Sequence, residues 1–131
     1  MIEKSDVLNI HSILIDKFGG SKGIRDLTVL ESAINRPYAT FDNIELYPKP
    51  SEKAAAILES ILINHPFIDG NKRTAFVLMK LLLLQNGIEI KATQDELYTM
   101  IISASSGEMR FSEIAKWIED RILDKNPHHT L

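Results

Sequence analysis

The 131-residue sequence contains no cysteine, so no disulfide can staple its fold. A chain of this length buries roughly 60% or more of its unfolded surface, and a hydrophobic core can therefore form without staples. The absence of thiols fits a reducing compartment. We expect a cytoplasmic protein on this ground.

Long hydrophobic runs are also missing. The longest apolar stretch, near Ala75 to Leu84, is interrupted by Lys80 and falls short of the roughly 20 residues that a membrane span requires. The N-terminus, MIEKSDVLNI, shows no basic region followed by an apolar core, as a secretory signal would. A net charge of -3 gives no overall attraction to nucleic acid or to an anionic membrane. We expect neither as a partner.

What the sequence has is helical periodicity. With 44% hydrophobic and 25% charged residues, it predicts one all-α globular domain over residues 1–124, a bundle of about six helices, followed by a polar tail over residues 125–131. Predicted helix caps are Ser5, Ser51, Ser112 and a capping box of Thr93 with Glu96. The segment RPYATFDNIELYPKP, with three prolines and alternating apolar residues, predicts an extended stretch or a small hairpin.

The stretch HPFIDGNKRTAF, residues 65–76, differs from its surroundings because it crowds polar side chains between two apolar helices. It ends at the N-terminus of the helix that the pattern indicates is the most buried, and Phe67 is expected to anchor it in the core. Unpaired N–H groups and the helix dipole favour anions at such an end, and Gly70 permits close approach of a ligand. The location predicts a phosphate site.

Each polar residue of this stretch has a functional and a structural interpretation. His65 is either a general base or a cap on the last carbonyls of its helix. Asp69 is either a ligand for Mg²⁺ or the start of an Asx-turn beside Gly70. Asn71 is a helix cap or a phosphate contact, and Lys72 and Arg73 are phosphate ligands or solvated charges. Their convergence within nine residues favours function.

The pattern H-P-F-x-D-G-N-K-R resembles the signature of the Fic/Doc family, H-x-F-x-(D/E)-(G/A)-N-(G/K)-R. The stretches GIRDLTVLESAINRP, EKAAAILESILINHPFIDGNKRTA, NGIEI and ASSGEMRFSEIAKWIE are similar to the compact Doc, or death-on-curing, branch. The matching positions of the signature are His65, Phe67, Asp69, Gly70, Asn71, Lys72 and Arg73.

This resemblance implies a helical bundle whose motif loop binds ATP with Mg²⁺. It implies that His65 takes a proton from a hydroxyl of a target protein and that Asp69 holds the metal. Gly70, Asn71, Lys72 and Arg73 would form the phosphate-binding part. A flap near residues 38–47 would align the target chain.

Two departures from the Fic form bear on the reaction. Lys72 replaces a glycine and would crowd the hole for the α- and β-phosphates, and Phe76 stands where a second phosphate-binding arginine is expected. Both features resemble Doc proteins, which deliver the γ-phosphoryl group to a threonine or serine. The favoured activity is therefore a protein kinase, with AMP transfer and a catalytically silent binding module as alternatives.

The resemblance also implies partners. The expected target is a translation elongation factor, and the expected outcome is growth arrest. The sequence shows no (S/T)-x-x-x-E-(G/N) inhibitory helix, so an antitoxin acting in trans is expected to restrain the protein. A weaker hypothesis, a metal site of His128 and His129 with His11, is disfavoured because adjacent histidines in a polar tail are usually solvated.

Overall fold

The computed structural model describes residues 1–123 of the chain. The described part is a helical bundle with one short hairpin, which confirms the predicted all-α class and the extended segment. Residue 124 and the predicted tail over residues 125–131 lie outside it, so that boundary stays a prediction. The elements are α1 (Lys4–Phe18), α2 (Leu27–Asn35), a 3-10 turn (Arg36–Tyr38), β1 (Thr40–Phe41), β2 (Ile44–Glu45), α3 (Pro50–Asn64), α4 (Asn71–Gln85), α5 (Gln94–Ser105) and α6 (Phe111–Glu119).

Helix α3 lies at the centre of the bundle. Ten of its 15 residues are buried, and it packs against α2, α4, α5 and α6. Three successive alanines, Ala54, Ala55 and Ala56, have no exposed surface, and their small side chains let the neighbouring helices approach. The prediction that α4 is the most buried helix is wrong. Helix α4 buries one face, whereas Lys80 and Leu84 on the other face are exposed.

The helix starts differ from the predicted serine caps. Helices α1, α3 and α6 each begin two residues earlier than predicted, with Glu3, Lys49 and Arg110 as the N-cap residues. In each helix a carboxylate of the first turn accepts a hydrogen bond from the backbone N–H of the N-cap residue. The three carboxylates belong to Asp6, Glu52 and Glu113. These bonds fix the helix starts without a serine cap.

The predicted capping box at the start of α5 is confirmed. The Thr93 hydroxyl oxygen accepts from the Glu96 N–H at 3.1 Å, and the Glu96 carboxylate accepts from the Thr93 N–H at 3.3 Å. The bond from the Thr93 backbone, followed by the bond from Arg121, lowers the pKa of Glu96. The capping box thereby fixes the start of α5, which forms one wall of a groove beside the α3–α4 connection.

The hairpin follows from its turn residues. Thr40 pairs with Glu45 and Phe41 with Ile44, leaving a two-residue loop. Both loop residues are left-handed, Asp42 at φ 53° and Asn43 at φ 63°, as a type I′ turn requires. None of the helices within residues 1–123 is long and apolar enough to cross a bilayer.

Candidate functional site

The polar stretch forms the connection from α3 to α4, and both ends of this connection turn through the left-handed region. His65 is the C-cap of α3 at φ 47° and ψ 62°, and Gly70 is the N-cap of α4 at φ 77°. Glycine adopts this conformation freely, whereas a residue with a side chain loses about 1 kcal/mol. His65 therefore needs contacts from its surroundings to stay in place.

Asn71 holds the connection closed from within. It is the first residue of α4, so its predicted role as the cap is wrong, because Gly70 occupies that position. Its Oδ1 accepts from the Phe67 N–H at 3.0 Å, and its Nδ2 donates to the Phe67 carbonyl at 2.9 Å. An amide carries two N–H donors, which leaves one for a ligand. The phosphate contact stays a prediction.

Phe67 anchors the connection in the core, as predicted. Its side chain is 1% exposed, and its ring stacks on the buried imidazole of His11 with centroids 3.8 Å apart. The His11 Nε2 lies 2.8 Å from the Asp69 carbonyl oxygen, and it carries the hydrogen because a carbonyl oxygen only accepts. Helix α1 thus supports the motif through the side chain of His11.

The carboxylate of Asp69 is held by two backbone N–H groups. Oδ1 accepts from Gly70 at 2.9 Å, and Oδ2 accepts from Ser21, in the loop after α1, at 3.2 Å. An Asx-turn requires the side-chain oxygen to accept from the N–H two positions on, whereas here the N–H belongs to the next residue, Gly70. The predicted Asx-turn is therefore wrong, although the carboxylate does contact Gly70. Carboxylate oxygens have several lone pairs, and Asp69 is exposed, so its oxygens can also bind a ligand.

An open groove runs from this connection along α4, with the start of α5 as its opposite wall. Its volume is about 1260 Å³, larger than an ordinary small-molecule pocket of roughly 300–1,000 Å³ because one side is open to solvent. Phe76 and Lys80 line it from α4, and Gln94, Asp95 and Tyr98 line it from the start of α5. The structure brings all the predicted site residues to one end of this groove, namely His65, Asp69, Gly70, Asn71, Lys72 and Arg73.

The motif end of the groove favours anions. Lys72 and Arg73 are exposed there, and neither forms an ion pair within residues 1–123. The Arg73 guanidinium lies 4.3 Å from the centroid of the Phe18 ring. The first three N–H groups of α4 have no partner within the helix, since Thr74 makes its first axial bond, to Gly70 at 3.0 Å. The site therefore concentrates positive charge in a protein whose net charge is -3.

The imidazole of His65 lines the groove and makes no hydrogen bond to any of residues 1–123. The structural alternative, an imidazole that caps the carbonyls of α3, is wrong because a guanidinium from the loop before α2, that of Arg25, binds the carbonyls of Asn64 and His65. The side chain is exposed and accessible to a substrate hydroxyl. Its role as general base stays a prediction.

The weaker metal hypothesis receives no support from His11, which is buried and bonded to the Asp69 carbonyl. His128 and His129 lie outside the described residues. Among residues 1–123, no group of three or more His, Cys, Asp and Glu residues is placed to hold a metal.

Sequence reasoning missed the N-terminal residues that support the motif, namely His11, Phe18, Ser21 and Arg25. They lie at least 39 positions before the residues that they contact, so periodicity carries no sign of them. The signal that was available is the cluster GGSKGIRD, where glycines and two cations separate two amphipathic helices. Such a loop often carries function or supports it.

Comparisons with known proteins agree with this geometry. Residues 1–83, which include the whole α3–α4 connection, match the Fic/DOC family. The protein named Toxin Doc from Mycolicibacterium smegmatis (strain ATCC 700084 / mc(2)155) is 40% identical over 94 residues, covering 72% of this chain and 70% of that protein. The protein named Protein kinase doc from Escherichia phage P1 is 30% identical over 114 residues, covering 87% of this chain and 89% of that protein. The chain belongs to the Fic/DOC family and is similar to its Doc toxins.

Proposed function

We propose that this protein is a Doc-like toxin that transfers the γ-phosphoryl group of ATP to a serine or threonine hydroxyl of a target protein. The observation that carries the proposal is the motif end of the groove. There an accessible imidazole, a carboxylate, two cations with no ion pair among residues 1–123 and a helix N-terminus face one space large enough for a nucleotide. A similar chain over most of its length is named a protein kinase.

The chemistry assigned to this chain is positioning and charge neutralisation, as phosphoryl transfer requires. The hydroxyl oxygen forms a bond to the γ-phosphorus while the bond from that phosphorus to the β-bridging oxygen breaks, and ADP leaves. His65 takes the hydroxyl proton. Lys72, Arg73 and the free N–H groups of α4 balance the phosphate charge.

The site fits Mg²⁺ as a partner of the nucleotide. Mg²⁺ prefers oxygen ligands and is usually held by one or two carboxylates together with substrate phosphates, so the single carboxylate of Asp69 suffices. Asp69 would hold the ion, which would neutralise phosphate charge when bound. The backbone bonds from Ser21 and Gly70 orient that carboxylate toward its place in the groove.

Two side chains favour γ-phosphoryl over AMP transfer. Lys72 places a long cation at the mouth of the connection, where a glycine would leave room for the α- and β-phosphates. Phe76 lines the groove one helical turn after Lys72 and has no charge to bind a phosphate. Lys80 lies 5.7 Å from the centroid of the Phe76 ring, so the next cation sits another turn away from His65.

Labelled nucleotides test this choice. A bacterial lysate treated with the purified protein is expected to show one labelled protein band with [γ-³²P]ATP and none with [α-³²P]ATP, and intact-mass analysis should give one added phosphoryl group. Label from the α-position alone would replace the kinase by AMP transfer. No label from either nucleotide, with ATP still binding, would leave a silent binding module.

The proposal extends to partners. We assign the target to the translation machinery in the cytoplasm, with an elongation factor as the expected acceptor. The hairpin supports docking of an extended target segment, since Phe41 is 72% and Ile44 70% exposed. A separate antitoxin is expected to restrain the protein, as a similar protein is named a toxin. Expression of this protein alone should then arrest growth, and harmless high-level expression would contradict the assignment.

Gly20 offers a test of Asp69 as the metal ligand. A Cβ at Gly20 would lie 2.8 Å from Asp69 Oδ2, so Gly20→Ala should displace the carboxylate. We expect the Mg²⁺ concentration for half-maximal transfer to rise about tenfold, the effect of disturbing a metal ligand's support. Gly19→Ala is the matched control, because Gly19 also has a positive φ but its Cβ would meet nothing within 4 Å. Equal Mg²⁺ dependence in the two variants would refute the role of Asp69.

A further inference from the structure

Three consecutive backbone carbonyls at the end of α3 are bound by one residue, Arg25. Its Nε donates to the His65 carbonyl and its Nη2 to the Asn64 carbonyl, both at 2.5 Å. Its own backbone N–H donates to the Pro66 carbonyl at 2.7 Å. The guanidinium therefore lies directly behind the residue whose imidazole faces the groove.

The bonds from Arg25 satisfy carbonyl groups at the end of α3. The last carbonyls of a helix have no partner within it, and a cation there also complements the helix dipole. A guanidinium presents several donors in a rigid plane and can bind two carbonyls at once, which an ammonium group does less well. By fixing the carbonyls on both sides of the His65 Cα, Arg25 holds this residue in its left-handed conformation.

The side chain of Arg25 is separable from the fold around it. Ile24 and Phe67 form an antiparallel bridge, and the Ile68 N–H donates to the Gly23 carbonyl at 3.1 Å. These backbone bonds keep the two segments together without the guanidinium. Arg25 is exposed, and it is not among the residues that line the groove. Its loss should release the His65 carbonyl and leave the core intact.

We propose that Arg25 is a positioning residue, which fixes the backbone of His65 and thereby the direction of the imidazole that takes the substrate proton. This inference rests on the proposed function for its consequence in catalysis. The structural part of the inference, that Arg25 fixes the backbone of His65, does not depend on the proposed function, because the conformation of His65 is measurable without turnover.

Kinetics test the inference first. Arg25→Ala is expected to lower kcat roughly ten- to hundredfold, the order of loss caused by a misplaced catalytic group, with KM for ATP within about twofold of the parent. Arg25→Lys should recover part of the loss, and added guanidinium ion should partly rescue Arg25→Ala. Lys22→Ala is the matched control, because this cation of the same loop pairs with Asp16 and makes no hydrogen bond or ion pair with residues 64–66.

A double variant shows whether Arg25 acts through the imidazole. In a His65→Ala background, Arg25→Ala should cause no further loss of kcat, because the group that it positions is gone. Multiplying losses would overturn the proposal, and so would a rise in KM for ATP with kcat unchanged, which would make Arg25 a nucleotide ligand.

NMR of the two single variants separates this inference from the proposed function. The backbone coupling and chemical shifts of His65 should report a positive φ in the parent and in Lys22→Ala, and a mixture of conformations in Arg25→Ala. An unchanged positive φ in Arg25→Ala would overturn the positioning role, whatever the enzyme does. A released His65 together with a fully active His65→Ala variant would instead keep the positioning role and refute the general base.

Discussion

Replacement of His65 by alanine is expected to lower the rate of phosphoryl transfer about 10²- to 10⁴-fold, the usual contribution of a general base. Its imidazole makes no hydrogen bond within residues 1–123 and is exposed, so no packing or bonding energy depends on it. The free energy of unfolding should therefore change by less than about 0.5 kcal/mol, as at an ordinary surface position. Initial rates with [γ-³²P]ATP and urea unfolding check the two parts.

The backbone of His65 calls for a control. Position 65 is left-handed, and asparagine tolerates that conformation better than alanine does. His65→Asn should keep the path of the connection and still lack a base, so it should be as inactive as His65→Ala. Substantial activity in the asparagine variant alone would show that the shape of the connection matters and that proton transfer to His65 does not. Growth arrest on expression should disappear in both variants.

The residues of the candidate site could be predicted from the sequence, whereas the distant residues that hold them in place could not. His65, Asp69 and Arg73 come together because they lie within nine positions on a connection between two helices, and such closeness is readable directly. The bonds from Ser21 to Asp69 and from Arg25 to His65 join positions 48 and 40 residues apart. Only the packing of α1 and α2 against the motif creates them, and packing direction is not encoded in periodicity.

The fold shows the same division. Helix α2 runs from Leu27 to Asn35 as its apolar spacing and the following Pro37 predict. The start of α3 was misplaced because the capping rule favoured Ser51, while Pro50 at the first helical position and the Glu52 carboxylate decide it. The central role of α3 was missed because its alanines are less hydrophobic than the leucines of α4, although small size suits the centre of a bundle.

The flap is joined to the bundle by a buried ion pair that periodicity also did not reveal. Arg36, just before the hairpin, donates from Nη1 to Glu59 at 3.0 Å and to the Ser60 hydroxyl at 3.0 Å, both on α3. Its Nε donates to the Tyr47 hydroxyl at 3.2 Å, beyond the hairpin. Burial alone would lower the pKa of Arg36, but the bonds and charges of Tyr47 and Glu59 outweigh it and raise that pKa. Both ends of the flap are thus tied to α3.

Removal of Glu59 should therefore destabilise the protein strongly. The Glu59 side chain is 9% exposed and that of Arg36 29%, and Glu59 also accepts from Arg110 at 3.4 Å, before α6. Breaking a buried pair by removing one partner typically costs 3–5 kcal/mol, and the partial exposure of Arg36 places Glu59→Ala near the lower bound, about 3 kcal/mol of unfolding free energy. Urea unfolding at neutral pH measures this loss.

Two comparisons distinguish a buried pair from a generic charge effect. Asp120→Ala breaks the exposed pair between Lys116 and Asp120 and should cost less than about 0.5 kcal/mol. The double variant Arg36→Met with Glu59→Met should be more stable than Glu59→Ala, because it leaves no partly buried cation without its partner; Arg110, which also loses Glu59, is largely exposed. A loss below about 1 kcal/mol for Glu59→Ala would mean that water solvates Arg36 once its carboxylate is gone. The flap would then be held by the packing of Tyr47 against Phe111, whose ring centroids are 5.0 Å apart, and its alignment of a target chain would not depend on charge.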